Sequence, residues 1–177
     1  LIRKPVAILG RGVSGLAFDR LLAKLGGSGV VFDEATGFGS SDVFSESVMS
    51  GFGLVVNSPG FRKDHPWINA AVRSPSVELT SETEAAAAFW KGKIVAVTGT
   101  NGKTTVTGLL AHALRSGGLG ATVAANVGVP FSDCVMDSHS ESDWAVLEVS
   151  SFQAWNFSKL RLDGVLWTNF DEDHLDW

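Results

Sequence analysis

Two parts of the chain repeat one pattern of polar and apolar residues, in which a short apolar run leads into a glycine-rich segment and then into a stretch of helical periodicity. The apolar runs are residues 6–9 and 94–97, and the glycine-rich segments are residues 10–15 and 99–105. An uninterrupted apolar run bounded by turn residues is typical of a strand that is buried on both faces of a parallel sheet. Each part therefore predicts a strand, a tight loop and a helix.

The stretches after the glycine-rich segments carry apolar residues at the spacing of one helix face. In the first stretch these residues are Val13, Leu16, Ala17, Leu21 and Leu25. In the second stretch they are Val106, Leu109, Leu110, Ala113 and Leu114. Both stretches end at paired glycines, which is typical of helix termination, and we expect both apolar faces to pack on a sheet.

Further short apolar segments predict strands near residues 29–32, 54–57, 121–124, 144–149 and 164–169. A helix is predicted after Asp64, acting as a cap before Pro66, and another over residues 80–89. Strands that alternate with helices form parallel sheets. The sequence therefore predicts an α/β fold, with a Rossmann-like parallel-sheet domain in residues 1–90 and part of a P-loop ATPase-type α/β domain in residues 91–177.

Composition narrows the class of protein. Hydrophobic residues make up 45% of the 177 residues and charged residues 19%, which are proportions of a globular protein. The formal net charge of −5 argues against a nucleic-acid or anionic-membrane surface. Apolar runs stay well short of the roughly 18 residues of a membrane span, and a single cysteine, Cys134, favours a reducing compartment. We therefore expect a cytoplasmic protein with no nucleic-acid or membrane partner.

The first glycine-rich segment has the pattern Gly10-x-Gly12-x-x-Gly15, which lets backbone N–H groups and a helix N-terminus approach a pyrophosphate. Asp33 follows 18 residues after Gly15, close to the position of an acid that contacts a ribose in dinucleotide-binding proteins. NAD would satisfy this pattern, and so would any other nucleotide diphosphate. A tight turn without a ligand is the remaining alternative.

The second glycine-rich segment is more specific. Its residues are Gly99, Thr100, Asn101, Gly102, Lys103, Thr104 and Thr105. Backbone amides that can surround an anion, a lysine for the β- and γ-phosphates and a hydroxyl for Mg²⁺ stand in fixed order between a strand and a helix. The usual pattern has its first glycine where this chain has Val97, so that glycine is displaced to Gly99. This segment predicts ATP or GTP binding.

Acidic side chains follow two of the predicted strands. Glu148 ends the run of residues 144–147, where a carboxylate at the carboxyl edge of a parallel sheet can hold Mg²⁺ or order a water molecule. An ordinary strand-end acid is the alternative. Residues 168–177 place four acids around His174, which predicts a metal or phosphate site, or else a solvated acidic segment.

Residues 98–105 resemble the ATP loop of the Mur ligase superfamily, the ATP-dependent amide-forming ligases of peptidoglycan synthesis, in which the first glycine is displaced in the same way. The run Glu148-Val-Ser-Ser-Phe-Gln153 is similar to the members of that family that add D-glutamate. Further similar motifs agree in order and spacing, at residues 57–60, 65–66, 126–130 and 169–174. The resemblance covers nearly all of the chain.

The resemblance implies ATP and Mg²⁺ as cofactors, and UDP-N-acetylmuramoyl-L-alanine and D-glutamate as small-molecule substrates. In the implied reaction a substrate carboxylate attacks the γ-phosphate to give an acyl phosphate, and an amine then displaces phosphate to form an amide. The implied ATP-binding residues are Gly99, Thr100, Asn101, Gly102, Lys103, Thr104 and Thr105. The implied catalytic residues are Lys103, Glu148 and His174, and the implied Mg²⁺ ligands are Thr104, Glu148 and His174. The implied UDP-substrate residues are Val13, Ser14, Asp33, Gly60, Asn126, Ser150 and Gln153.

Two departures from the family pattern affect these expectations. The family usually has a threonine and an arginine after the acid that follows the second strand, whereas this chain has Glu34 and Ala35 after Asp33. The family's carbamylated lysine and its C-terminal domain, which binds the incoming amino acid, would lie beyond Trp177. We therefore expect the chain to be a fragment of an enzyme, able to bind its ligands but barely able to catalyse the reaction. We expect the full-length enzyme to be a monomer.

Three other functions remain to be weighed against this one. A sibling ligase that adds another amino acid would share the ATP loop but not the run that ends at Gln153. A nucleotide-binding module without catalysis would share both glycine-rich segments. An NAD-dependent oxidoreductase would explain Gly10 to Gly15 but would leave Lys103 and the acidic tail without a role.

Overall fold

Strands and helices alternate along nearly the whole chain in the computed structural model, which describes residues 5–34, 44, 46–137 and 139–172. Every pairing between strands of these residues is parallel. The predicted α/β class is therefore confirmed. The chain divides into two compact units, Leu1–Ala86 and Ala87–Trp177. The domain boundary near residue 90 stays a prediction, because compactness does not show that either unit folds by itself.

The first unit is built on a four-stranded parallel sheet. Its elements are β1 (Val6–Leu9), α1 (Val13–Lys24), β2 (Gly29–Phe32), α2 (Glu46–Met49), β3 (Leu54–Asn57), α3 (Pro66–Arg73), β4 (Glu78–Ser81) and α4 (Glu82–Ala87). The strand order is β2-β1-β3-β4. The chain leaves β1 toward β2 on one side and returns to β3 on the other, which opens a crevice at the carboxyl ends of β1 and β3.

Aromatic side chains fill the core of this unit on one side of the sheet. Phe32 at the end of β2 lies edge-on to Phe44, with ring centroids 4.9 Å apart, and to Phe52 at 5.8 Å. Trp67 in α3 is 2% exposed and lies 5.3 Å from Phe44, ring centroid to centroid. Burying such large rings supplies most of the stabilisation that a sheet of four-residue strands needs.

The second unit is also built on a four-stranded parallel sheet. Its elements are β5 (Lys93–Thr98), α5 (Lys103–Ser116), β6 (Ala121–Ala125), α6 (Phe131–Met136), β7 (Trp144–Glu148), α7 (Ser151–Trp155) and β8 (Gly164–Trp167). The strand order is β6-β7-β5-β8. In the register of β5 with β7, Val97 lies opposite Glu148, so the loop after β5 and the acid at the end of β7 are neighbours.

The structure corrects the helix faces that apolar periodicity predicted. Val13 is 72% exposed and Leu16 is 37% exposed, and α1 instead buries Phe18 and Leu22. Leu109 of α5 is 65% exposed, and the fully buried positions of that helix include Thr107. Leu25 and Ala113 are exposed as well, whereas Val106, Leu110 and Leu114 pack against the core as predicted. In α5 the fully buried residues, Thr107 and Ala111, are small, which allows that helix to pack closely on the sheet.

The structure corrects two local predictions between β3 and α4. The helix predicted over residues 80–89 is present as α4, but residues 80–81 still belong to β4 and the helix begins at Glu82. The N-cap of α3 is His65 rather than Asp64, because the His65 Nδ1 accepts the backbone N–H of Trp67 at 3.2 Å. Any side chain with a suitably placed acceptor can cap a helix.

Membrane-spanning helices were searched for in the described residues, and none of these helices is long and apolar enough to cross a bilayer.

Candidate nucleotide site

The loop after β5 has a backbone that only glycine adopts readily. Gly99 has φ of 133° and Gly102 has φ of 82°, both in the region that L side chains rarely occupy. Gly102 is the N-cap of α5 and supplies no side-chain cap, so the first-turn amides of the helix have no intrahelical acceptor. These amides, together with the helix dipole, form a site for an anion.

Lys103, the first residue of α5, folds back over this loop. Its Nζ donates to the Gly99 carbonyl at 2.7 Å and to the Thr100 carbonyl at 2.9 Å. The ammonium group is thereby held against the loop by two backbone acceptors. A lysine beside the amides of a glycine loop and a helix N-terminus is the arrangement that binds the phosphates of a nucleotide.

Glu148 is buried at the end of β7 beside this loop. Glu148 is 2% exposed, and its Oε1 accepts from the Asn126 Nδ2 at 2.9 Å. Its Oε2 is buried as well and has no hydrogen-bond partner among the described residues. A buried carboxylate oxygen without a partner is unfavourable unless a cation or water approaches it, and a hard cation such as Mg²⁺ prefers oxygen ligands of this kind. This oxygen therefore fits Mg²⁺ as a ligand. The role of Thr104 as a second oxygen ligand stays a prediction.

Backbone strain marks the end of β6, next to Glu148. Ala125 has φ of 78°, and among the described residues it is the single non-glycine residue with a positive φ. Its neighbour Asn126 donates from its backbone N–H to the Glu148 carbonyl at 3.0 Å, in addition to the side-chain contact. The strained turn therefore delivers Asn126 to the acid, and strain of this kind is often stored at functional sites.

We expect Ala125→Gly to raise the free energy of unfolding by about 1 kcal/mol, because glycine adopts a positive φ without the steric cost of a Cβ atom. Urea unfolding followed by circular dichroism measures the change. Ala124→Gly, at the preceding buried position of the same strand, is the matched control and should destabilise the protein. A loss of stability in Ala125→Gly would contradict the assigned strain.

Ser150 and Gln153 form the start of α7, directly after β7. The Ser150 Oγ accepts from the Gln153 backbone N–H at 3.3 Å, and the Gln153 Oε1 accepts from the Ser150 backbone N–H at 3.0 Å. This reciprocal pairing is a capping box, and it accounts for both residue types without a ligand. Ser150 also faces a cavity of about 460 Å³ whose lining includes Gly99, Lys103 and Asp171. The structure thus brings Ser150 to the Lys103 loop.

The first unit has its own glycine loop, between β1 and α1. A Cβ atom on Gly15 would collide with the Gly10 carbonyl, and a Cβ atom on Gly10 would lie 2.9 Å from the Ser58 Oγ. These two glycines are therefore required by the packing of the loop on the end of β3. Gly12 differs, because no described atom lies within 4 Å of a Cβ atom built there. The space beside Gly12 and the exposed Val13 is open at the uncapped N-terminus of α1.

Asp33 follows β2 and accepts the backbone N–H of Arg11 at 2.6 Å through its Oδ2, so it holds the glycine loop. Glu34, the residue that departs from the family pattern, lies 3.2 Å from the His65 Nε2 through its Oε1. Because the other ring nitrogen of His65 accepts a hydrogen bond, the neutral ring carries its proton on Nε2 and donates it to Glu34. The side chain of Glu34 thus has a partner in α3.

Asn57 and Ser58, at the end of β3, belong to the motif at residues 57–60, but neither was assigned a role in the site from the sequence. Asn57 is 2% exposed and Ser58 is 9% exposed, and both lie beside the first glycine loop. The Asn57 Oδ1 and the Ser58 Oγ are buried and have no hydrogen-bond partner among the described residues. A polar pair at the end of a buried strand, followed by Pro59 and Gly60, was the available signal. The exposed Gly60 lies on the same connection.

The structure brings together some of the predicted site residues and leaves others apart. In the second unit Lys103, Glu148, Asn126 and Ser150 surround the end of β5 and β7, as described above. His174 lies outside the described residues, so its predicted role as a catalytic residue and metal ligand stays a prediction. Clusters of three or more histidine, cysteine, aspartate or glutamate side chains able to hold a metal ion are absent from the described part of the chain.

Residues 97–177 match the family model of the Mur ligase middle domain. A UDP-N-acetylmuramoylalanine–D-glutamate ligase of Gloeobacter violaceus is 38% identical over 191 aligned positions, which cover 97% of this chain and 42% of that ligase. The ligase of the same name in Leuconostoc mesenteroides is 34% identical and covers 98% of this chain and 42% of its own length. The chain thus spans about two fifths of the length of the curated relatives it matches.

Solved structures share the fold at lower identity. The UDP-N-acetylmuramate:L-alanyl-γ-D-glutamyl-meso-diaminopimelate ligase of Neisseria meningitides has a TM-score of 0.54 at 19% identity, over 98% of this chain and 62% of that protein. The UDP-N-acetylmuramate–alanine ligase of Thermotoga maritima has a TM-score of 0.52 at 22% identity, over 98% of this chain and 43% of that protein. With the family model and the relatives that match nearly the whole sequence, this shows that the chain belongs to the Mur ligase family.

Proposed function

We propose that the chain is the UDP-substrate-binding and partial ATP-binding portion of a ligase that joins D-glutamate to UDP-N-acetylmuramoyl-L-alanine. The observation that carries the proposal is the buried Glu148 Oε2, which has no partner among the described residues and lies beside a loop built for phosphates. The assignment of these substrates is supported by the names of the relatives that match 97% and 98% of the chain. The protein works in the cytoplasm, in keeping with its single cysteine, the buried Cys134.

In the proposed reaction the Lys103 loop binds the triphosphate of ATP. The first-turn amides of α5 donate to the phosphate oxygens, and Lys103 exchanges its two carbonyl partners for phosphate. Glu148 and Thr104 would hold Mg²⁺, and His174 would add a ligand to a second metal ion. Bound Mg²⁺ neutralises the charge of the phosphates, so that the substrate carboxylate can approach the γ-phosphate. These residues supply positioning and electrostatic stabilisation, and no protein nucleophile is required.

Each unit, taken by itself, contains residues that the resemblance assigns to the UDP substrate. In the first unit the first-turn amides at Val13 and Ser14 would bind the diphosphate, with Gly60 nearby and Asp33 toward the uracil. Support comes from the open space beside Gly12, because the packing of the protein itself does not require a glycine at this position. In the second unit Asn126, Ser150 and Gln153 would contact the muramoyl group and its alanine.

Calorimetric titration of the chain with ATP, with and without Mg²⁺, tests the proposal. We expect Mg²⁺ to tighten ATP binding roughly tenfold, and Glu148→Gln to remove that gain because an amide is a poor Mg²⁺ ligand. The variant should fold normally, since the glutamine Oε1 can still accept from Asn126. Glu141→Gln, an exposed acid of the same unit, is the matched control. Absence of ATP binding by the unaltered chain, or a full Mg²⁺ effect in Glu148→Gln, would contradict the proposal.

A further inference from the structure

The segment of residues 168–171, which follows β8, is hydrogen-bonded along its length to the Lys103 loop. Thr168 continues the β5 pairing, because its backbone N–H donates to the Thr98 carbonyl at 2.9 Å. The next residue, Asn169, accepts the backbone N–H of Thr100 at 3.1 Å with its own carbonyl oxygen. The same oxygen accepts from the Trp167 Nε1 at 2.9 Å. The segment therefore lies against the loop as an added length of extended chain.

The side chain of Asn169 pairs with the backbone of Asn101 at two points. Its Oδ1 accepts the Asn101 N–H at 2.9 Å, and its Nδ2 donates to the Asn101 carbonyl at 3.0 Å. The Thr168 Oγ1 donates to the same carbonyl at 2.6 Å. Asn101 stands in the middle of the loop, so these three bonds fix the peptide on which the position of the following amides depends.

Thr100 makes a second link of the same kind. Its hydroxyl oxygen accepts the Asp171 backbone N–H at 3.0 Å and lies 3.1 Å from the Asp171 carbonyl, to which it donates. Thr100 and Asn101 of the loop are thus paired with Thr168, Asn169 and Asp171 of the segment. A loop held by so many bonds is ordered before any ligand arrives.

The close approach of the 168–171 segment explains why the displaced glycine of the loop, Gly99, must be a glycine. A Cβ atom on Gly99 would collide with the Thr168 Oγ1 and would lie 2.8 Å from the Asn169 carbonyl oxygen. A side chain at position 99 would therefore push the 168–171 segment away from the loop. Gly99 is needed for this close approach as well as for its positive φ.

We infer that Asn169 and Thr168 are positioning residues that hold the Lys103 loop in its phosphate-binding conformation while it is empty. The inference rests on the proposed function, in which this loop binds ATP. A loop that is already ordered loses less conformational entropy when the triphosphate binds, and its amides need no rearrangement. The pairing also links the loop to Asp171.

Hydrogen exchange of the ligand-free protein tests the inference without any nucleotide. We expect Asn169→Ala to raise the exchange rate of the Thr100 amide roughly tenfold. This amide does not bond the Asn169 side chain, and the backbone oxygen that accepts from it remains in the variant. Asn156→Ala, after α7 in the same unit, is the control variant. Unchanged exchange of the Thr100 amide in Asn169→Ala would overturn the inference.

Titration with ATP and Mg²⁺ provides the second measurement. We expect roughly tenfold weaker binding in Asn169→Ala and in Thr168→Val, and near-normal binding in Thr168→Ser, because serine keeps the hydroxyl donor to Asn101. Equal binding by Thr168→Val and Thr168→Ser would overturn the inference even if Asn169→Ala failed to fold. Failure of the unaltered chain to bind ATP would instead refute the proposed function, and hydrogen exchange would still decide whether the segment orders the loop.

Discussion

Replacing Lys103 with methionine is expected to weaken ATP binding about 100-fold, the largest effect of any single side chain at the Lys103 loop. Charge-assisted hydrogen bonds to phosphate oxygens contribute about 1.5–3 kcal/mol each, and methionine keeps the length of the side chain without its charge. Gly99 and Thr100, whose carbonyls Lys103 contacts, are half-buried, so water can replace the ammonium group and we expect the variant to remain folded. Calorimetric titration with ATP and Mg²⁺ measures the loss.

Lys91→Met provides the matched control, because Lys91 is an exposed lysine of the same unit that stands outside the loop. Its ATP affinity should equal that of the unaltered chain. If Lys103→Met bound ATP as tightly as Lys91→Met, the Lys103 loop would not be the triphosphate site, and the proposed reaction would lose its central contact.

Gly15→Ala is expected to lower the free energy of unfolding by about 3 kcal/mol, because the added methyl group collides with the Gly10 carbonyl and forces α1 away from β1. Gly12→Ala should cost less than about 1 kcal/mol, because the Cβ atom meets open space and the φ of −73° is an ordinary one. Scanning calorimetry of the two variants measures the difference.

The same pair of variants separates packing from ligand binding. Gly12→Ala should weaken binding of a UDP-sugar by about tenfold, because the methyl group occupies the space that the diphosphate needs. A stable Gly12→Ala with unchanged affinity would remove the first glycine loop from the substrate site. A fully stable Gly15→Ala would show instead that α1 does not pack against the loop as described.

Most of the fold could be predicted because the local signals and the tertiary structure agree. The runs that became β1 and β5 are apolar at every position, and each is followed by a glycine loop and a helix. Glu148 was identified because an acid at the end of a buried strand reaches the carboxyl edge of a parallel sheet. These signals depend on neighbouring residues alone, which is why sequence carries them.

The wrong or missing predictions concern contacts between distant residues. Thr107 is buried and Leu109 is exposed because the sheet, not the helix itself, decides which face of α5 is covered. Ser58 lies beside Gly10 only when β3 pairs with β1. Position 99 requires a glycine because the 168–171 segment, about 70 residues later in the chain, packs against it. Apolar periodicity describes one element at a time and does not contain such pairings.

Titration of the chain with UDP-N-acetylmuramoyl-L-alanine, with NAD as the competing candidate, tests the central claim most directly. The residues assigned to the UDP end of this substrate are Val13, Ser14, Asp33 and Gly60, which all lie in the first unit. We expect saturable binding of the UDP-sugar, weakened by Gly12→Ala, and no binding of NAD. Saturable binding of NAD without a response to the UDP-sugar would contradict it and would make the first glycine loop a dinucleotide site.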